Sequence, residues 1–180
     1  TVRYAFLLWG PTFLSEARDM RIDHAGWIVA AFEVAGIAGM LLSGWMSDRI
    51  FRGFASRACF FSMAMCALCI FLFWTIPIHW LSLLLLISVG FFVYGPQCLV
   101  MVISTNLSTK QAAATAIGLT GLFGYFSQVF SGWGLGWLVE KKGWDAGFPA
   151  LVLAAALSAV CFACLWNVVY DRPKTEAEKK

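Results

Sequence analysis

Long apolar stretches separated by short polar connectors dominate the chain. A helix that crosses the hydrocarbon core of a bilayer needs about 20 mostly apolar residues. Five stretches have that length, and each predicts a membrane-spanning helix: residues 25–45, 58–78, 80–104, 112–139 and 147–169. Residues 4–14 form a sixth, shorter stretch, which we expect to be the truncated remainder of a first helix. The pattern therefore predicts an all-α transmembrane protein with six helices.

The composition supports a lipid environment. Hydrophobic residues make up 61% of the chain and charged residues 13%, whereas soluble domains average about 45–50% apolar and about 25% charged residues. The net charge is only +3, and the basic residues lie in clusters between the apolar stretches. The apolar composition makes the lipid bilayer the expected partner. Because the basic residues form no stripe, we expect no binding to nucleic acid.

The cysteines indicate packing rather than metal binding. All six lie in apolar stretches, and two pairs have Cys-x-x-Cys spacing, at Cys66 and Cys69 and at Cys161 and Cys164. On a helix this spacing places two small apolar side chains on one face. No histidine or carboxylate adjoins either pair, so we expect no metal and no cofactor. The sequence also shows no paired carboxylates and no nucleophile with a base, so we expect no enzyme.

The basic residues predict an orientation. With six spans, the second and fourth connectors share one side of the membrane with the carboxy-terminal tail. That side carries eight basic residues and the opposite side four, so the positive-inside rule makes the tail cytoplasmic. We expect residues 1–170 to form the transmembrane bundle and residues 171–180 to form the tail.

Arg3 is the one basic residue outside these clusters. It lies eleven residues before Leu14, where the first helix is expected to leave the bilayer. At 1.5 Å per residue this depth is roughly 17 Å, about half of the ~30 Å hydrocarbon core. A charge at that depth is costly and by default indicates a site that faces a cavity or a partner. The alternative is an arginine that extends to the interface.

Three further polar residues are candidates for the same region. Glu33 is the only acidic residue deep inside a span, roughly 12 Å from the entry of its helix. It could pair with Arg3 or with a basic residue outside this chain, or it could be protonated and packed. The Tyr125 hydroxyl needs a partner, and Gln128 follows one turn later, so both are candidates to face a polar cavity.

A repeated Gly-Pro pair indicates bent helices. The first helix carries Trp-Gly-Pro ending at Pro11, and the fourth carries Tyr-Gly-Pro ending at Pro96. Proline removes a backbone hydrogen bond and bends a helix. Two such signals, three helices apart, favour two three-helix repeats of the inverted kind that surround substrate paths in transporters. Ordinary tolerance of proline in membrane helices is the alternative.

The connector GWMSDRIFRGFASR carries the most specific motif. Asp48 can accept hydrogen bonds from a neighbouring helix end or pair with Arg52, and Arg49 adds to the positive surface. A plain positive-inside loop is the alternative. The connector resembles the cytoplasmic Gly-x-x-x-Asp-Arg/Lys loop motif of the major facilitator superfamily. Its place after the second of six helices fits the carboxy-terminal half of that twelve-helix fold.

The resemblance extends along nearly all of the chain. It is closest to bacterial glycerol-3-phosphate transporters of the organophosphate:phosphate antiporter family, and the segments that carry it are RYAFLLWGPTFLSE, FEVAGIAGMLLSGWMSDRIFRG, GFFVYGPQ, AIGLTGLFGYF and KKGWDAGF. It implies a multi-pass protein of the bacterial inner membrane that imports an organophosphate in exchange for inorganic phosphate. The missing amino-terminal six-helix half would be its structural partner.

The resemblance also implies roles for individual residues. Arg3 would bind the substrate phosphate together with an arginine from the absent half, and Tyr4 and Tyr125 would line the cavity. Glu33 would belong to an interdomain charge network. Leu8 departs from the pattern, because glycerol-3-phosphate transporters usually have aspartate there. The alternatives are a sugar-phosphate receptor that signals to a histidine kinase, and a hexose-phosphate transporter.

Overall fold

The computed structural model describes residues 1–18, 22–76, 78–108 and 112–166, and these ranges contain helices and no strand. The helices are α1 (Val2–Arg18), α2 (Ile22–Trp45), α3 (Ala55–Thr75), α4 (His79–Leu107), α5 (Ala113–Val129), α6 (Leu135–Lys142) and α7 (Trp144–Cys164). Two π-helical turns lie between them. Met46–Ile50 extends α2, and Phe130–Gly134 joins α5 to α6.

Five helical segments are long and apolar enough to cross a membrane, and they confirm the five predicted spans. They are Gly26–Ile50, Ala55–Thr75, Trp80–Thr105, Ala113–Lys142 and Trp144–Cys164. Because the π-helical turn Phe130–Gly134 makes α5 and α6 one continuous segment, these five segments and α1, with 17 residues, are six helices in the described ranges. The predicted six-helix, all-α architecture is therefore confirmed. The proposed division into a bundle and a tail remains a prediction, because residues 167–180 lie outside the described ranges.

The helix ends differ from the predicted ends where backbone conformation decides them. The fifth span continues to Lys142 because its charged last turn stays helical, whereas a count of apolar residues stops before it. Gly143 then has φ 76°, a left-handed conformation that favours glycine and separates α6 from α7. At the end of α3, Ile76 is extended with φ −108° and ψ 111°. The proline that follows it in sequence disfavours helical backbone at this position.

The bundle is held together by close contact between α2 and α4. Gly39 faces the backbone of Phe91, and a Cβ atom at Gly39 would collide with the Phe91 carbonyl. Gly95 meets the Ser43 side chain in the same way. Small residues let helix backbones approach closely in membranes, where dispersion contacts rather than water exclusion drive association. The approach brings the polar side chains of Glu33 on α2 and Gln97 on α4 to Arg3 on α1.

An aromatic cluster fixes α1 against α3 and α7. Phe13 packs on Phe148 with ring centroids 4.6 Å apart and on Phe73 at 5.3 Å, and Trp144 contacts Phe13 at 5.1 Å. Such pairs contribute about 0.5–1.5 kcal/mol beyond the area they bury. Phe73 and Leu14 are almost completely buried, each 1% exposed. The cluster therefore sets the depth and rotation of α1, and with it the position of Arg3.

Candidate functional site

An open cavity of about 560 Å³ lies between α1, α3, α4, α5 and α7. Its polar lining is Thr1, Arg3, Tyr4, Gln97, Thr120, Tyr125, Ser127 and Ser158. The rest of the lining is mostly apolar, with small residues at Gly121 and Gly124. Ligand sites commonly combine an apolar wall with a few convergent polar groups. The volume of the cavity lies within the range of about 300–1,000 Å³ that is usual for small-molecule sites.

A small apolar pocket lined by residues of the aromatic cluster is a weaker candidate. It has a volume of about 20 Å³ and is lined almost entirely by apolar side chains. That volume has room for about one water molecule, and no charged group lines it. It is better explained as a packing gap than as a ligand site.

Arg3 lies in the wall of the open cavity, and four side chains hold its guanidinium. Its Nη1 donates a hydrogen bond of 3.1 Å to Gln97 Oε1 on α4. Its Nη2 lies 3.9 Å from Glu33 Oε1 on α2. The ring of Tyr94 lies under the guanidinium, with 4.2 Å from Arg3 Cζ to the ring centroid, and the Tyr4 ring lies at 5.6 Å. This geometry places the charge at the cavity wall.

The guanidinium retains donors for an anion. Arginine carries five N–H donors and no acceptor. One donor reaches Gln97, and the separation of 3.9 Å from Glu33 is too long for a strong hydrogen bond. Arg3 Nε is buried and has no hydrogen-bond partner among the described residues. The side chains of Arg3 and Glu33 are 26% and 40% exposed, so this ion pair is loose and open to competition.

The other predicted binding residues divide into two groups. Tyr4 and Tyr125 line the cavity with Arg3, and Tyr125 is 71% exposed. Gln128 is half-buried and does not line the cavity. The neighbouring Ser127 does line it, and its hydroxyl is 2.7 Å from that of Thr1. The structure therefore does not bring Gln128 to the other three.

The residues predicted to form a charge network lie in two places. Glu33 is beside Arg3, whereas Asp48, Arg49 and Arg52 are exposed near the far end of α2. Fifteen residues separate Glu33 from Asp48, which is about 22 Å along a helix. Arg52 has φ 50° in the turn after the helix. A gating role for these three residues remains a prediction, distinct from direct contact with Arg3.

Of the two predicted bend sites, one borders the cavity. Pro96 lies inside α4, is buried and contributes to the cavity wall. Pro11 lies inside α1 but is not part of that wall. Proline at either position lacks the N–H that would complete the helical hydrogen bond.

Two residues that contact Arg3 were not predicted as site residues. They are Tyr94, beneath the guanidinium, and Gln97, at its edge. Both belong to the segment YGPQ, in which the proline predicted a helix bend and the flanking polar residues were given no role. A neutral amide inside an apolar span was the available signal, because a polar group at that depth needs a partner.

The position of Leu8 shows how the site differs from the expected pattern. Leu8 is 47% exposed and does not line the cavity. The carboxylate beside Arg3 comes from Glu33 on α2. Among the described residues, this is the only ion pair that Arg3 makes.

Comparison with known proteins identifies the family. The model of the Major Facilitator Superfamily matches residues 1–132. The chain belongs to the major facilitator superfamily. Membership of this superfamily confirms the prediction that the chain is a multi-pass membrane protein and not an enzyme. Among the described residues, no group of three or more His, Cys, Asp or Glu side chains is placed to hold a metal ion.

Individual relatives in the superfamily are named as transporters or as a sensor. The chain is 36% identical to the glycerol-3-phosphate transporter of Bacillus subtilis over 92% of its own length and 38% of the relative. It is 35% identical to a probable hexose phosphate transport protein of Chlamydia pneumoniae, over 98% of the chain and 39% of the relative. The membrane sensor protein UhpC of Salmonella typhimurium is 32% identical over 98% of the chain and 40% of the relative.

The chain spans about two fifths of the length of these relatives. This coverage and the six helices are consistent with one half of a twelve-helix transporter. No solved structure matches the chain.

Proposed function

We propose that the protein containing this chain imports an organophosphate in exchange for inorganic phosphate, with glycerol-3-phosphate as the first candidate. The observation that carries the proposal is the guanidinium of Arg3 in the wall of a 560 Å³ cavity between membrane helices. The names of the transport relatives support a phosphorylated substrate. A second six-helix half, with its own cation, would complete the site.

The chemistry of Arg3 suits a phosphate group. A guanidinium offers parallel donors to two phosphate oxygens and stays charged at any working pH. The Glu33 carboxylate carries one negative charge at 3.9 Å. A phosphate dianion would carry up to two charges at ordinary hydrogen-bond distance, about 2.7–2.9 Å. The dianion would therefore displace the carboxylate from Arg3.

Alternating access follows from this charge balance. Without substrate, two cations from the two halves would repel each other across the cavity. A bound phosphate, whether inorganic or esterified, would neutralise both and allow the halves to close and rock. Because either phosphate species can do this, exchange would need no ATP. We propose that the protein lies in the bacterial inner membrane with its carboxy terminus in the cytoplasm.

A receptor is the second candidate function. Leu8 favours it, because a sensor does not need the complete charge network that gating requires, and one relative is named as a membrane sensor. In that case a membrane histidine kinase would be the partner. A hexose phosphate is the nearer alternative substrate, and the name of the chlamydial relative supports it.

Reconstituted full-length protein tests the proposal. Proteoliposomes loaded with inorganic phosphate should exchange it for labelled glycerol-3-phosphate. Arg3→Lys should abolish most of that exchange, because an ammonium group cannot form the two parallel bonds. Arg57→Lys serves as the matched control, since Arg57 contacts Phe54 and the Trp166 carbonyl away from the cavity. Normal exchange by Arg3→Lys would remove Arg3 from the site. Binding without exchange, together with capture of a kinase, would favour the receptor.

A further inference from the structure

Gln97 has a position in the cavity that the proposed phosphate site does not explain. It follows Pro96 on α4, is exposed, and lines the cavity beside Arg3. Its Oε1 accepts the hydrogen bond of 3.1 Å from Arg3 Nη1. This contact joins α1 to α4 at the point where a substrate phosphate would bind.

The contact with Arg3 fixes the orientation of the carboxamide. A guanidinium has donors only, so the oxygen of the amide must face Arg3. The Nε2 group, with two N–H donors, is then turned away from Arg3. Among the described residues Nε2 makes no hydrogen bond, and the side chain borders the cavity. The cavity therefore has a neutral donor group next to its cation.

Helix α4 supplies both of the side chains that contact the guanidinium at its face and at its edge. Tyr94 and Gln97 are three residues apart, and side chains at this spacing are neighbours on a helix. Tyr94 contacts the face of the guanidinium at 4.2 Å and Gln97 contacts its edge. The amide donors consequently keep a defined position relative to any phosphate on Arg3.

A neutral donor beside a phosphate site selects for an acceptor on the rest of the ligand. We propose that Gln97 Nε2 binds a hydroxyl oxygen on the organic part of the substrate and makes the site prefer hydroxylated organophosphates. Glycerol-3-phosphate and sugar phosphates both belong to that class. This inference rests on the proposed function, because it requires a phosphate ester on Arg3.

Competition binding tests the role of Gln97. Purified full-length protein is loaded with labelled inorganic phosphate, which is then displaced by glycerol-3-phosphate or by propyl phosphate, an ester without hydroxyl groups. Wild-type protein should prefer glycerol-3-phosphate. Gln97→Met keeps the length of the side chain and removes the amide, so the preference should fall about tenfold, as expected for one hydrogen bond. Cys98→Ala, on the next residue and outside the cavity lining, should keep the wild-type preference.

A second variant tests the contact itself. Gln97→Glu is nearly isosteric and places a carboxylate against Arg3, so binding of inorganic phosphate should weaken at least tenfold. Unchanged phosphate binding by Gln97→Glu would show that residue 97 is not beside the phosphate. An unchanged preference in Gln97→Met, or no preference in wild-type protein, would overturn the proposed selection by Gln97. Either result would leave the proposed function standing. Wild-type protein that binds no phosphate would overturn the proposed function as well.

Discussion

Glu33→Gln should increase the affinity for inorganic phosphate, because the carboxylate competes with phosphate for Arg3. Two unit charges at about 4 Å interact with about 4 kcal/mol at an effective dielectric constant near 20. The Arg3 and Glu33 side chains are 26% and 40% exposed, so solvent strongly screens the attraction between these groups at 3.9 Å. Measured values for exposed pairs, about 0.2–1 kcal/mol, are the better guide. The upper end of that range corresponds to about fivefold tighter binding.

Equilibrium binding of labelled phosphate to full-length protein at low ionic strength measures this effect. The gain should shrink as salt is added, because screening weakens the competing ion pair in wild-type protein. Glu140→Gln is the matched control, since it removes the same charge from an exposed position on α6. Weaker phosphate binding by Glu33→Gln would refute the competition and would make Glu33 a group that supports the bound substrate.

Two further predictions concern the packing that positions the site. Gly39→Ala should lower the free energy of unfolding in detergent by about 1–3 kcal/mol, because the added methyl group meets the Phe91 backbone. Gly26→Ala, with no atom within 4 Å of the added carbon, should be neutral, and equal effects would contradict the close helix contact. Phe73→Ala should cost about 3–5 kcal/mol because Phe73 is 1% exposed. Phe71→Ala at a 45% exposed position should cost much less, and similar melting temperatures for the two variants would argue against the aromatic cluster.

The helices could be predicted from sequence because the length of an apolar stretch is a local property. The bilayer sets a minimum length, and five stretches met it. The end of the fifth span at Lys142 was missed because its last turn carries charges while remaining helical. Apolar length alone does not report such an end.

The site was only partly predictable because its contacts join different helices. Arg3 and Glu33 were identifiable as charges at unusual depths, and their separation of 3.9 Å depends on how α1 and α2 pack. Gln97 and Gln128 look alike in sequence, each a lone amide in an apolar span. The rotation of α4 places Gln97 against Arg3, whereas Gln128 does not reach the cavity wall. Helical spacing within one segment could not distinguish them.

Equilibrium binding of inorganic phosphate to full-length protein, compared with the Arg3→Lys variant, tests the central claim most directly. Loss of a charge-assisted bond costs about 2 kcal/mol, so the variant should bind phosphate about thirtyfold more weakly. Equal affinity of the two proteins, with the variant folded and inserted, would contradict the assignment of Arg3 as the phosphate-binding group.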